Sequence, residues 1–204
     1  NCEVVGTILH VLVDGVYAGH IVIADTVKAD AEQTIRDLHA AGVKRTVMLT
    51  GDREEVAAAV AKQLGLDEFH AQLLPGDKVE RVEPLVEGAS GKGKLAFVGD
   101  GINDAPVLAG ADVGAAMNSG ADAAVEAADV VFMHSKVSAV PKALHLSKET
   151  MKIAKQNVVF ALGVKGLVML AGFAGYASMW AAVFADSGVA ALCVLNSVRM
   201  LYKK

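Results

Sequence analysis

Two aspartates follow an apolar stretch in the segment LAFVGDGINDAP. Asp100 comes directly after the apolar residues, and Asp104 lies beyond Gly101, which lets the backbone turn so that the two carboxylates converge. Two carboxylates on a tight turn suit a hard cation such as Mg²⁺, which takes a few carboxylates together with waters and phosphate oxygens. Asp is also common as a turn or helix-capping residue, so the spacing alone leaves both interpretations open.

A hydroxyl and an amine elsewhere in the chain can complete a phosphate site. Thr50, Gly51 and Asp52 follow the apolar run VML, and Lys78 comes shortly after Pro75. Thr50 offers a hydroxyl and neighbouring N–H groups to a phosphate, and Lys78 offers a balancing positive charge. Each residue alone is explained more simply as a helix cap or a solvated surface side chain. Together they predict a phosphate-binding edge.

Alternating strands and helices must position these residues. Strands that alternate with helices form a parallel sheet, and ligands bind beyond the carboxyl ends of its strands. Asp52 is predicted to cap the second helix, with Glu55 as its capping-box partner, and Gly65 to end it. The predicted elements are a helix over 30–42 that ends at Gly42, a strand over 44–52, a helix over 52–65, a helix over 77–88 that contains Pro84, and the strands KLAFVG and DVVFM.

The first residues predict a different element. Apolar and polar residues alternate on both sides of Asp14-Gly15 over residues 4–23. Asp-Gly between two alternating runs indicates a two-residue hairpin turn, since both turn positions need a positive φ. A two-stranded ribbon alone is marginally stable in water, so it is expected to pack on further strands that these residues do not supply.

Composition places part of the chain in a bilayer. Of its 204 residues 53% are hydrophobic, the mean hydropathy is +0.42 and the formal net charge is −4. That balance argues against a nucleic-acid partner. Two apolar segments, residues 158–178 and 180–198, each approach the roughly 20 residues that span a bilayer. A pair of buried helices in a soluble core is the alternative.

Charged residues flank and interrupt the two apolar segments. The flanking residues are Lys148, Lys152 and Lys155 before the first, and Arg199, Lys203 and Lys204 after the second. By the positive-inside rule, both ends are predicted to face the cytoplasm. Lys165 and Asp186 lie within the segments, where a charge is costly unless it has a partner or lines a water-filled path. They are either functional or a structural ion pair.

Three motifs give the chain a resemblance to a known family. The segments MLTGD, LLPGDKVERV and VGDGINDAPVLAGADVGAAM occur in this order, and together they resemble the phosphorylation domain of P-type cation-transporting ATPases, close to the heavy-metal branch. The resemblance implies an α/β fold with a HAD-like (Rossmannoid) parallel sheet, followed by a two-helix transmembrane hairpin. Residues 1–24 would end a nucleotide-binding domain, 25–147 would form an incomplete phosphorylation domain, and 148–204 would form a membrane domain.

The resemblance also implies roles for the residues at the strand ends. Thr50, Gly51, Asp52 and Lys78 would surround the phosphoryl group, and Asn103 and Asp104 would complete the catalytic site. Asp100 and Asp104 would bind the Mg²⁺ cofactor. ATP and Mg²⁺ are the implied cofactors.

The apolar segments resemble one subgroup of these pumps. ALGVKG and FADSGVA are similar to the last two membrane helices of the zinc-, cadmium- and lead-exporting subgroup. Asp186 would then bind the transported Zn²⁺, Cd²⁺ or Pb²⁺, and Lys165 would be its counter-ion when the metal leaves. The implied setting is a bacterial plasma membrane, with the lipid bilayer and the missing N-terminal pump domains as partners.

One part of the family pattern does not occur in these residues. The family phosphorylates an Asp in a DKTGT motif, which this sequence lacks. Asp25 and Asp14 do not replace it, because related phosphatases need a second acid two residues later and here Val27 and Val16 stand there. We therefore expect half of a catalytic site, inactive alone. The alternatives are a membrane-tethered HAD-like phosphatase and a non-catalytic fragment that acts as an assembly partner.

Overall fold

The computed structural model describes residues 7–23, 26–89, 93–118, 120–134, 136–176 and 178–202. The chain divides into two units, Asn1–Pro141 and Lys142–Lys204. Predictions that concern Asp25, Lys203 and Lys204 lie outside the described residues.

The first unit opens with the predicted hairpin. Strand β1 (Thr7–Val13) pairs antiparallel with β2 (Val16–Ile23), and the register shifts between Val11 and Leu12. Asp14 and Gly15 form the turn with φ values of 50° and 79°. The positive φ at both positions confirms the Asp-Gly hairpin.

Helices and parallel strands alternate through the rest of this unit. Strands β3 (Val47–Leu49) and β4 (Glu68–His70) form one parallel pair. Strands β5 (Ala96–Gly99), β6 (Val113–Met117) and β7 (Val130–Phe132) form a parallel three-stranded sheet with β6 in the middle. The elements are α1 (Ala31–Ala40), β3 (Val47–Leu49), α2 (Glu54–Leu64), β4 (Glu68–His70), α3 (Pro75–Ala89), β5 (Ala96–Gly99), a 3₁₀ turn (Ile102–Asp104), α4 (Ala105–Gly110), β6 (Val113–Met117), α5 (Asp122–Ala127) and β7 (Val130–Phe132).

Several local predictions need correction. Arg53, not Asp52, precedes the first residue of α2, and no side chain caps that end. Asp52 accepts a hydrogen bond from Thr50 instead, so the predicted capping box with Glu55 is wrong. Gly65 ends α2 with a φ of 68°, as predicted. Helix α3 begins at Pro75 rather than residue 77, and it contains Pro84.

The core lies between β6 and the helices beside it. Leu108, Ala116 and Ala124 are fully buried and touch one another, and Phe97 packs against them. Small side chains let α4 and α5 approach the sheet closely. Gly114 marks the tightest approach, because a Cβ there would lie 2.3 Å from the Leu108 carbonyl oxygen.

Replacing Gly114 by Ala is therefore expected to destabilise the first unit by about 1–3 kcal/mol, the usual cost of overpacking a core. Gly110→Ala is the matched control, since a Cβ at this helical position meets nothing within 4 Å. That control is expected to be neutral or to stabilise by up to about 1 kcal/mol. Thermal unfolding of the whole chain in detergent measures both, and equal midpoints for the two variants would contradict the close approach.

The second unit consists mainly of two long apolar helical segments. Helix α6 covers Ala139–Phe173, and a second segment runs through α7 (Met179–Val183), a π-helical turn (Phe184–Gly188), α8 (Val189–Val198) and a 3₁₀ turn (Arg199–Tyr202). Both are long and apolar enough to cross a membrane. The first ends at Phe173, earlier than the predicted residue 178, and Gly175 follows with a φ of 79°. Phe173 and Trp180 are 88% and 77% exposed, which disfavours the alternative of two buried core helices.

Asn157 joins the two segments near one end. Its Nδ2 donates to the Cys193 carbonyl at 3.1 Å and to Ser197 Oγ at 2.9 Å. Its Oδ1 accepts from Asn196 Nδ2 at 2.8 Å. Such bonds fix the register of neighbouring helices where no water competes for the same polar groups.

Asn157→Leu is expected to weaken this helix pair by about 0.6–1.7 kcal/mol, from the average to the largest value of double-mutant cycles on interhelical hydrogen bonds in a membrane protein. The adjacent Gln156 is exposed, so Gln156→Leu is the matched control and is expected to change little. Reversible unfolding of the chain in mixed micelles measures both variants. Equal stabilities would show that the Asn157 bonds contribute nothing.

Candidate functional site

A buried ion pair joins two of the predicted site residues. Lys78 Nζ lies 2.7 Å from Asp104 Oδ1, and the two side chains are only 16% and 11% exposed. Lys78 belongs to the first turns of α3, whereas Asp104 ends the 3₁₀ turn after β5. The second carboxylate oxygen, Oδ2, accepts from the Gly101 N–H at 3.1 Å. Both oxygens of Asp104 are thus engaged, which fixes the carboxylate and the Lys78 amine relative to each other.

Two glycines make room for this carboxylate. A Cβ on Gly99 would lie 2.9 Å from the Cβ of Asp104, and one on Gly101 would lie 3.2 Å from Asp104 Oδ2. The turn after β5 therefore needs small residues at both positions so that Asp104 can fold back over the strand end. Gly99 was not predicted as a site residue. The Gly-Asp-Gly run in the sequence was the signal for it.

Thr50 and Asp52 form a second polar turn at the end of β3. Thr50 Oγ1 donates to Asp52 Oδ2 at 2.7 Å and accepts from the Asp52 N–H at 3.1 Å. The Thr50 backbone is held by the His70 carbonyl and by the Leu73 N–H. These bonds orient the hydroxyl next to the exposed Gly51. The described contacts join Thr50 to Asp52, not to Lys78 or Asp104.

Asp100 and Asn103 are exposed members of the predicted site, as Gly51 and Asp52 are. Asp100 follows β5, and its carbonyl accepts from the Ala121 N–H at 2.9 Å. A Cβ on Gly120 would lie 2.4 Å from that carbonyl oxygen, so the loop before α5 also needs a glycine to pack against Asp100. The backbone of Asp100 is therefore held in place, while the residue itself is exposed at the strand end.

Asp100 and Asp104 are the two carboxylates near this strand end that could hold Mg²⁺. Among the described residues, no three His, Cys, Asp or Glu side chains cluster as a metal site. Mg²⁺ needs only one or two carboxylates, because waters and phosphate oxygens supply its other ligands. Asp104 accepts one hydrogen bond at each carboxylate oxygen, from Lys78 and from the Gly101 N–H, and each oxygen keeps a second lone pair. Of the two residues, Asp100 is exposed and Asp104 is buried.

Backbone hydrogen bonds lower the pKa of carboxylates that support the sheet. The Thr46 N–H and hydroxyl donate to Asp67 and hold its pKa below the ordinary value of 3.8. The Lys94 amine and the Leu95 N–H do the same to the pKa of Asp112. A carboxylate whose pKa is lowered by folding stabilises the folded state at every pH above its ordinary, unfolded-state pKa. This contribution is lost as the pH falls through the folded-state pKa.

The first unit is therefore expected to lose stability as the pH falls below about 4. Asp67→Asn and Asp112→Asn remove a titrating group each, so the midpoints of these variants are expected to depend less on pH in this range. Thermal unfolding of the chain at several acidic pH values measures the slopes. Variant slopes as steep as that of the parent chain would contradict the assignment.

Lys165 and Asp186 meet between the two apolar segments. Lys165 Nζ lies 2.9 Å from Asp186 Oδ1. Asp186 sits in the π-helical turn over Phe184–Gly188. Such a turn inserts an extra residue into a helix and is common at functional sites. The sequence pattern predicted neither the π turn nor the Asn157 bonds.

Comparison with known proteins decides the family. The sequence-family model of the haloacid dehalogenase-like hydrolases matches residues 5–112, which is more than half of the chain. The chain belongs to this hydrolase family. The HAD-like parallel fold predicted from the motifs is thereby confirmed.

Curated relatives extend the match beyond this hydrolase domain. The chain is 56% identical to a zinc-transporting ATPase of Synechocystis over 98% of its own length and 28% of that protein. It is 52% identical to a cadmium, zinc and cobalt-transporting ATPase of Bacillus subtilis, over 99% of its length and 29% of that protein. The predicted resemblance to zinc and cadmium P-type ATPases is confirmed. The chain spans less than a third of the length of these relatives.

A solved structure supports the same relationship. A zinc-transporting PIB-type ATPase crystallised in the E2.Pi state superposes with a TM-score of 0.86 and 41% sequence identity. The match covers 96% of this chain and 32% of that one. It therefore includes the HAD-like hydrolase domain and most of the two apolar segments, which supports a membrane protein.

Proposed function

We propose that this chain is part of an ATP-driven exporter of divalent metal ions, with Zn²⁺, Cd²⁺ and Pb²⁺ as substrates. The observation that carries the proposal is the Lys165–Asp186 contact, in a chain that matches zinc- and cadmium-transporting ATPases over nearly its whole length. ATP would supply the phosphoryl group, and an acceptor aspartate elsewhere in the longer protein would receive it.

The strand-end residues of the hydrolase domain would bind the phosphoryl group. The Gly51 N–H would donate to its oxygens. The Thr50 hydroxyl would do the same once its single proton turns from Asp52 Oδ2 to the phosphoryl group, while the Asp52 N–H still holds the hydroxyl oxygen. The Lys78 amine would balance the negative charge, and Asp104 holds that amine at 2.7 Å. Positively charged groups and N–H donors held in place before the reaction stabilise the charge of a transferring phosphoryl group. The exposed Asn103 amide would complete the polar wall beside it.

Mg²⁺ fits beside these groups. Asp100 would hold it, and the metal would neutralise charge on the phosphate oxygens when bound. Asp104 would hold the Lys78 amine in place, and the lone pairs that remain on its carboxylate oxygens would also be available to the cation.

The membrane pair would bind and release the transported ion. Asp186 would supply a carboxylate ligand to the metal, and Lys165 would then move away from it. When the metal leaves, the Lys165 amine would return to Asp186 and prevent an unpaired charge in the membrane. An unpaired intramembrane charge is costly, so this exchange disfavours back-flow of the ion.

The membrane orientation follows from the flanking charges. Lys152 and Lys155 precede the first apolar segment, and Arg199 follows the second. Both ends would face the cytoplasm of a bacterial plasma membrane, which places the hydrolase domain where ATP is available.

The experiment is phosphorylation of the longest product of the gene that encodes these residues. Labelled ATP with Mg²⁺ and Zn²⁺ is expected to yield an acid-stable, hydroxylamine-sensitive phosphoprotein. Omission of Mg²⁺ is expected to abolish it. Metal-dependent hydrolysis of a phosphate ester by this chain alone would instead favour a membrane-tethered phosphatase.

A further inference from the structure

A basic and apolar groove runs along α6 outside the sites described above. It has a volume of about 890 Å³, and its lining includes Lys148, Lys152, Lys155, Val159 and Phe160. We define these five residues as the α6 groove. We propose that the α6 groove binds an anionic phospholipid, with the lysines on its phosphate and the apolar side chains on its acyl chain.

The lysines lie on one stripe of the helix. Positions 148, 152, 155 and 159 are four, three and four residues apart, the spacing that places side chains one above another on a helix face. The charged part of the groove therefore runs into its apolar part along the helix axis. Glu149, the acidic residue of this stretch, is not among the lining residues.

The change from charge to apolar surface falls at the predicted edge of the membrane. The apolar segment begins at Val158. At about 1.5 Å per residue, Lys155 lies about 4.5 Å and Lys152 about 9 Å before that residue. Lipid phosphates occupy this depth, just outside the hydrocarbon. Val159 and Phe160, which are 71% and 45% exposed, lie on the hydrocarbon side.

Charge complementarity selects the class of lipid. Three lysines line the groove, and no lining residue carries a negative charge. The headgroup of a zwitterionic lipid carries a cation that neutralises its phosphate. An anionic lipid has no such cation, so the lysines neutralise its phosphate instead. A lysine near the surface contributes about 1 kcal/mol to binding an anionic membrane. Loss of two lysines is therefore expected to weaken binding about 30-fold.

The test is lipid retention measured by native mass spectrometry. This chain and the longest gene product are each titrated in detergent with phosphatidylglycerol or phosphatidylcholine. The parent proteins are expected to retain phosphatidylglycerol preferentially. Lys152→Gln with Lys155→Gln is expected to reduce that retention about 30-fold. Lys152→Arg with Lys155→Arg keeps the charge and is expected to retain the lipid.

Lys136→Gln with Lys142→Gln is the matched control, since it removes the same charge from positions that do not line the groove. It is expected to leave retention unchanged. Equal retention of the two lipids would overturn the proposal. Preferential retention by this chain but not by the longest gene product would also overturn it, because a further segment of the longer protein would then fill the groove. Displacement of phosphatidylglycerol by millimolar inorganic phosphate would also overturn it, because the occupant would then be a free anion.

Discussion

Asp186→Ala in the longest gene product is expected to reduce metal-stimulated ATP hydrolysis at least about 100-fold, since even indirect support of a metal ligand is worth 10- to 100-fold. In this chain the variant would also leave Lys165 without its partner at 2.9 Å. The hydrolase domain is a separate part of the sequence, so phosphorylation from inorganic phosphate is expected to remain. ATPase activity against Zn²⁺ concentration measures the first effect, and labelled phosphate the second.

Ser187→Ala is the matched control, because it changes the neighbouring residue of the same π turn. It is expected to keep most of the metal-stimulated activity. Asp186→Glu keeps a carboxylate at this position, so it is expected to shift the metal concentration that gives half-maximal activity rather than remove the activity. Full metal stimulation in Asp186→Ala would contradict a role for this carboxylate in transport.

Asp104→Ala is expected to have the largest effect in the hydrolase domain. It leaves the Lys78 amine largely buried without its carboxylate, and breaking a buried pair in this way costs about 3–5 kcal/mol. Without Asp104, the Lys78 amine is also no longer held in the position where it would contact the phosphoryl group. We expect loss of stability in this chain and loss of phosphoprotein in the longest product. Denaturant unfolding in detergent measures the first, and acid-gel labelling the second.

A double-mutant cycle separates the pair from general packing. Lys78→Met and Asp104→Leu are each expected to lower the free energy of unfolding. The double variant is expected to lower it by less than the sum of the two single effects, since neither charge then remains unpaired. Asp122→Ala is the control, because it removes an exposed carboxylate from the first turn of α5. Additive effects of Lys78 and Asp104 would contradict the pair.

Long motifs and strong turn signals made much of the fold predictable. The Asp14-Gly15 hairpin and the Gly65 helix end depend on local backbone conformation, which the residue types specify. Strands β4 and β6 were missed. β4 is Glu-Phe-His, with one apolar residue between two polar ones, and β6 is made of Val, Gly, Ala and Met with no polar alternation. Strand β6 is buried because α4 and α5 pack against it, and the local residue pattern does not predict that packing.

The site divides in the same way. Lys78 and Asp104 were predicted as site residues, and the structure brings them into contact. Thr50 and Asp52 were predicted to share the site, but Asp52 was assigned to a helix cap and instead bonds the Thr50 hydroxyl. The close approaches at Gly99 and Gly120 were not predicted, because they depend on carboxylate and carbonyl groups brought near by tertiary packing. The partners of Asn157 were missed for the same reason.

The most direct test of the proposed function is ATP-driven Zn²⁺ uptake by inside-out vesicles that contain the longest gene product. The account predicts uptake that requires ATP and Mg²⁺, is lost in Asp186→Ala and Asp104→Ala, and is retained in Ser187→Ala. Zn²⁺ uptake that is independent of ATP, or that persists in Asp186→Ala, would contradict it.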